Sequence, residues 1–123
     1  MRSFYVAEEP IVHDGSAGKA MIVAAGGEVD YASSSKLRNL LASAIHPDGA
    51  PLIVDLSDVT FIDSTAIGVL AKTVSRMSEM ECAMALVCGN PRVLRIFQMV
   101  GLDEMVAIYD SRSEALGSLA EHG

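Results

Sequence analysis

LIVDLSDVTFIDSTAIGVL, Leu52 to Leu70, is the stretch from which the fold can be read. Its opening run, LIVDL, is short and apolar enough for a buried strand. A few polar residues follow. From about Ser64 to Met80 the apolar residues Ile67, Leu70, Ala71, Val74 and Met77 then recur at helical spacing, with Lys72, Ser75, Arg76 and Glu79 facing mostly outward. Asp63 and Ser64 are both good N-cap residues, and capping alone would account for one of them at ~1 kcal/mol. Ser64 and Thr65 thus fall just beyond a buried strand at a helix N-terminus, where α/β folds tend to place functional groups.

On the N-terminal side, PIVHDGSAGKAMIVAAGG holds two apolar runs around an Asp-Gly and Ser/Gly-rich turn, which predicts a hairpin. A helix is expected from about Ser33 to Ile45, with Leu37, Leu40, Leu41 and Ala44 at its spacing and HPDGAP as its stop. On the C-terminal side, CAMALVC is apolar on both faces and reads as a central, covered strand. In GNPRVLRIFQMVG, Asn90 is a cap, Pro91 opens the helix, Val93, Leu94, Phe97 and Val100 form its stripe, and Gly101 ends it. A short strand near MVAIY and a helix from about Ser113 to Ala120 complete the chain. The expectation is an α/β chain, residues 1–123 forming one domain, with a mixed sheet of about five strands and about four helices.

Composition narrows the function. With 123 residues, 50% hydrophobic but only 5% aromatic, the core is aliphatic and no surface for stacking bases is evident. The net charge of −7 repels phosphate backbones and anionic lipid headgroups, so nucleic acid and membrane are not expected as partners. No signal peptide and no run near the ~20 apolar residues of a membrane span are read, which points to the cytoplasm. Cys82 and Cys88 would lie ~20 Å apart along one strand, beyond disulfide reach, and match no common metal spacing. They read as two buried thiols, and neither metal nor cofactor is expected.

Three chemistries compete for Ser64. A hydrolase elbow would need glycines flanking the serine, but Ile62 and Ala66 stand there, and His122 is the only histidine downstream. A receiver domain accepting phosphate on Asp55 would need an acidic pair after the first strand and a late lysine. Glu8 and Glu9 instead precede the expected first strand, and Lys72 is the last lysine. The remaining reading makes Ser64 a substrate. A phosphoryl group there adds ~1.5 to 2 negative charges, which a helix N-terminus accommodates, while a partner pressed on the same point would not.

The quoted stretch resembles the signature of STAS domains of the anti-sigma factor antagonist type, an apolar strand followed by Asp-Ser-Ser/Thr-Gly-Leu-Gly. GGEVDYASSSKLRNLL is similar to that family's Gly-Glu-Leu/Val-Asp loop and first helix, and NPRVLRIFQMVGLDEMVAIYDSRSEAL to its later elements, so the resemblance covers roughly residues 11–119. It implies a binding module and not an enzyme. In its unphosphorylated form such a module binds an anti-sigma factor that is also a Ser/Thr kinase, and so frees a sigma factor. The kinase phosphorylates the position of Ser64, with Thr65 the second choice, and a serine phosphatase resets it. Asp30, Asp63, Ser64, Thr65, Ala66, Ile67, Gly68 and Asn90 are the partner-binding positions implied. Ala66 replaces the family's glycine, and a regular first helical turn is expected there. Gly68 suits either close helix-to-sheet packing or the approach of a partner. With Asp63 and Asp30 close by, a phosphate on Ser64 is expected to meet carboxylates and no cluster of arginines. The alternative is a receiver-like or orphan STAS scaffold that senses a ligand or assembles a complex.

Overall fold

The computed structural model describes residues 5–12, 19–45 and 49–122. In chain order these form β1 (Tyr5–Val12), β2 (Lys19–Val29), α1 (Tyr31–Ala44), β3 (Leu52–Ile62), α2 (Ser64–Glu79), β4 (Met84–Val87), α3 (Pro91–Val100), α4 (Leu102–Met105), β5 (Ala107–Tyr109) and α5 (Arg112–His122). The strand order in the sheet repeats the order in the chain, β1-β2-β3-β4-β5. β1 runs antiparallel to β2, and β2 to β5 are mutually parallel. The hairpin and the α/β alternation are as expected, while the hairpin's turn and part of HPDGAP lie outside the described residues.

Alternation along the strands sorts the core into two layers, because successive strand residues point to opposite faces. Met21, Val23 and Ala25 of β2 and Leu52, Val54 and Leu56 of β3 pack with α1, α2, α3 and Leu102 of α4. Ile22, Ile53, Ala85 and Val87 point the other way, onto Ala115 and Leu119 of α5. Fully buried Phe97, Leu37, Leu41 and Leu70 anchor the larger layer, each contributing about 1.5–3 kcal/mol relative to exposure.

Several expectations are corrected. β3 does not stop at LIVDL but continues to Ile62, through exposed Ser57 and Asp58. Its pairing with β2 survives because the register slips twice: Ala24 to Gly26 spans two steps against three from Asp55 to Asp58, and Gly27 to Glu28 one step against two from Val59 to Phe61. Each slip leaves an extra β3 residue unpaired, as a bulge does, and Gly27 accommodates the bend at φ +79°. Glu8 and Glu9 lie within β1, not before it. The buried stripe of α2 is Ala66, Val69, Leu70, Thr73, Val74 and Met77, with Ile67 and Ala71 only half-buried. In α3 only Val93 and Phe97 are buried, and Val100 is exposed. Cys82 precedes β4 and is half-buried, whereas Cys88 is buried. The short α4 is a fifth helix, starting where Gly101 at φ +81° ends α3 in the left-handed region.

Candidate functional site

Because β2 and β3 are parallel, the helices that follow them both begin at the same end of the sheet. Each opens with an aspartate in its cap. Asp30 caps α1: its Oδ1 accepts from Ser33 N–H at 3.1 Å, and its own N–H donates to Ser33 Oγ at 2.9 Å, closing a reciprocal box. Asp63 caps α2, its Oδ1 accepting from Ala66 N–H at 3.1 Å. The N–H of Asp63 also donates to Val29 O at 3.1 Å, which ties the end of β3 to the end of β2.

Capping by Asp63 settles which residue does what in the first turn. Ser64 is the first helical residue, it is exposed, and its hydroxyl has no hydrogen-bond partner among the described residues. Thr65 beside it is exposed as well. Ala66 is fully buried in a regular first turn, so it shapes the turn and its side chain presents nothing outward. Ile67 is half-buried against the larger core layer.

At Gly68 the two readings separate. Beyond its chain neighbours and its own helix backbone, a Cβ built there meets no heavy atom within 4 Å, so close packing on the sheet is not the reason for glycine. Gly68 faces a groove between α1 and α2, of about 470 Å³, whose walls include Tyr31, Ser35, Arg38, Ser64, Thr65 and Lys72. Arg38 and Lys72, one arginine and one lysine, share this groove with Ser64, while no cluster of arginines lines it. The α1 residues of this wall escaped the sequence reading because the groove joins residues some thirty positions apart. The recurrence of Tyr31 with Arg38 and of Thr65 with Lys72, each two helical turns apart, was the available signal.

Asn90 caps α3 by accepting from Arg92 N–H at 2.9 Å, and its amide donates to Val59 O of β3 at 3.3 Å. Its side chain is therefore committed to holding the β4–α3 turn against β3.

Asp55 lies on the opposite face, and its environment is that of a structural carboxylate. It is 9% exposed, and Oδ1 accepts from Ser57 N–H at 2.9 Å and from the Ser57 hydroxyl at 2.6 Å. Oδ2 accepts from Arg112 Nε at the start of α5. Burial alone would raise its pKa, but the Ser57 hydrogen bonds and the Arg112 guanidinium outweigh it and hold the carboxyl below its ordinary value. Burial pushes the Cys88 thiol up, with Asp110 and Asp55 adding to the shift against an opposing hydrogen bond from the Asn90 backbone. Among the described residues no three His, Cys, Asp or Glu side chains cluster as a metal site would need, and no helix is long and apolar enough to cross a membrane.

The STAS domain family matches residues 11–115. The anti-sigma F factor antagonist of Paenibacillus polymyxa is 30% identical over 100 residues, which cover 80% of this chain and 86% of that protein. A Thermotoga neapolitana relative is 42% identical over 65 residues, 53% of this chain, and the match spans 58% of that relative's length. The crystal structure of an anti-sigma factor antagonist from Mycobacterium paratuberculosis superposes with a TM-score of 0.79 at 25% identity, covering 94% of each chain.

Proposed function

The chain belongs to the STAS domain family, and from that premise we propose that it is an anti-sigma factor antagonist, a cytoplasmic binding module switched by phosphorylation of Ser64. In the unphosphorylated form it binds an anti-sigma factor that is also a Ser/Thr kinase, and a sigma factor is released. A serine phosphatase restores the binding form. The module itself catalyses no reaction.

The observation that carries this reading is the division of labour between Asp63 and Ser64. Asp63 accepts the hydrogen bond of the helix cap, which leaves the Ser64 hydroxyl exposed and uncommitted at the first helical position. A kinase can take such a hydroxyl without dismantling the turn. The resulting dianion sits at the positive end of the helix dipole, so the fold tolerates it. A partner surface closing over the same point would have to desolvate that charge, and a loss of ~4 kcal/mol already means about a thousandfold in affinity.

Asp30, Asp63, Ser64, Thr65 and Gly68 form the partner-facing surface in this reading. Ala66 and Ile67 set the shape of the first turn beneath it, and Asn90 fixes the neighbouring turn. The test is capture of partners from native extract with unmodified protein, followed by mapping of phosphorylated sites. A kinase-fold partner together with phosphate on Ser64 is the expected result. Capture of no such partner, or phosphate that maps elsewhere and spares Ser64, would overturn the reading; phosphate on Thr65 alone would move the acceptor by one residue.

A further inference from the structure

Nine Lys and Arg stand against sixteen Asp and Glu in this chain, yet three of the nine cations line one groove whose lining holds no carboxylate. The seam between α1 and α2 consists of two adjoining hollows, about 470 Å³ at the Ser64 end and about 120 Å³ toward Ile45. The hollows share Arg38, Val69 and Lys72, and Arg76 closes the far one. None of the three cations forms an ion pair with a described carboxylate. Arg38 is steered by its own helix, Nη2 donating to Ser35 Oγ at 3.0 Å. The capping carboxylates Asp30 and Asp63 are not part of the lining.

We infer that this groove docks an acidic segment of the protein partner, laid in extended form along the seam with its carboxylates on Arg38, Lys72 and Arg76. The partner's identity rests on the function proposed above; the chemistry of the groove does not. Shape decides for a segment over a compact anion. From Ser64 to Arg76 the seam runs ~18 Å at 1.5 Å per helical residue, room for about five extended residues, and the cations are spread along it instead of converging on one point. Complementary charge of this kind steers encounter and fixes the register of docking.

The inference also gives the switch a second arm. Long side chains on a helix run back toward its N-terminus, the end where Ser64 and Thr65 stand on the same groove wall. A phosphoryl group on Ser64 would place a dianion at the mouth of the basic seam. There it repels the incoming acidic segment and competes with it for Lys72 and Arg38.

The test titrates the full isotope-labelled chain with hexaglutamate and, separately, with hexaglutamine, following backbone amide shifts. Expected are shifts confined to residues 31–45 and 64–76 with hexaglutamate only, lost in the Arg38→Glu/Lys72→Glu double variant. Shifts centred on Arg92 and Arg95, equal shifts with the neutral peptide, or shifts that persist in the double variant would overturn the inference. If that variant loses its folded spectrum, Arg38→Gln/Lys72→Gln takes its place. With a captured kinase-type partner, charge reversal should weaken binding about tenfold, ~1.4 kcal/mol divided between two exposed pairs. Undiminished affinity there would sink the groove while leaving the proposed function intact. Hexaglutamate binding in the groove without any kinase-type partner would do the reverse.

Discussion

Gly68→Ala should make the domain more stable and a weaker binder at the same time. Gly68 is the fifth residue of α2 in a regular helix, where glycine costs about 0.5–1 kcal/mol against alanine through the entropy of the unfolded chain. In most helices a new methyl group must also find room. Here, beyond its chain neighbours and its own helix backbone, it meets no heavy atom within 4 Å, so nothing offsets the gain. A rise of about 0.5–1 kcal/mol corresponds to roughly 2–5 °C in Tm for a chain of this size. Urea unfolding at unchanged m-value, read as a higher midpoint, measures it. The same methyl group projects into the groove that also holds Ser64, Thr65 and Lys72, and crowding one methyl group into a fitted interface costs about 1–3 kcal/mol. Partner affinity should therefore fall at least fivefold, measured by calorimetric titration. A lower urea midpoint would refute the claim that position 68 has space for a side chain. A higher midpoint with unchanged affinity would refute the claim that glycine there serves the partner.

Three further outcomes follow from the site and the core. Asp63→Ala should cost ~1 kcal/mol in urea unfolding because it removes the cap, while Ser64→Ala should be within ~0.5 kcal/mol of the parent; equal losses would contradict the assignment of Asp63 as the sole cap. Asp55 has a lowered pKa in the fold, so its contribution is complete above the unfolded value near pH 4 and lost as pH falls through the lower folded value. As pH falls below about 4 the parent should lose stability more steeply than Asp55→Asn, and parallel curves would show that the carboxylate is not linked to folding. Cys82 should react with a thiol reagent well before Cys88, which is buried and holds its proton more tightly; mass mapping that finds Cys88 labelled first would contradict this.

Local signals carried the early hairpin, the α/β alternation and the ends of α3, since an Asn-Pro start and a Gly stop act within a few residues. The length of β3 was not legible. Ser57 and Asp58 break the apolar run, and only pairing with β2 through two register slips keeps the strand going to Ile62. The α4 turn was too short to show a period, four residues wedged between Gly101 and β5. The first turn of α2 was half legible: Asp63 and Ser64 were both candidate caps, and only the three-dimensional arrangement gave the cap to one and left the other bare. Lys72 read only as an outward-facing residue of its helix, and Arg38 drew no reading at all. Their joint meaning depends on two helices lying side by side, which no window of sequence contains.

The sheet's strand order, identical to the order of synthesis, bears on how the chain assembles. Each strand after the first docks beside the one made just before it, so no strand waits for a partner still to be synthesised. Loop closures stay short, and non-local pairing is the slow step in folding. The sheet can therefore extend in one direction as the chain leaves the ribosome, finishing on a strand of three residues, Ala107–Tyr109. An edge strand so short offers little template to a neighbouring chain.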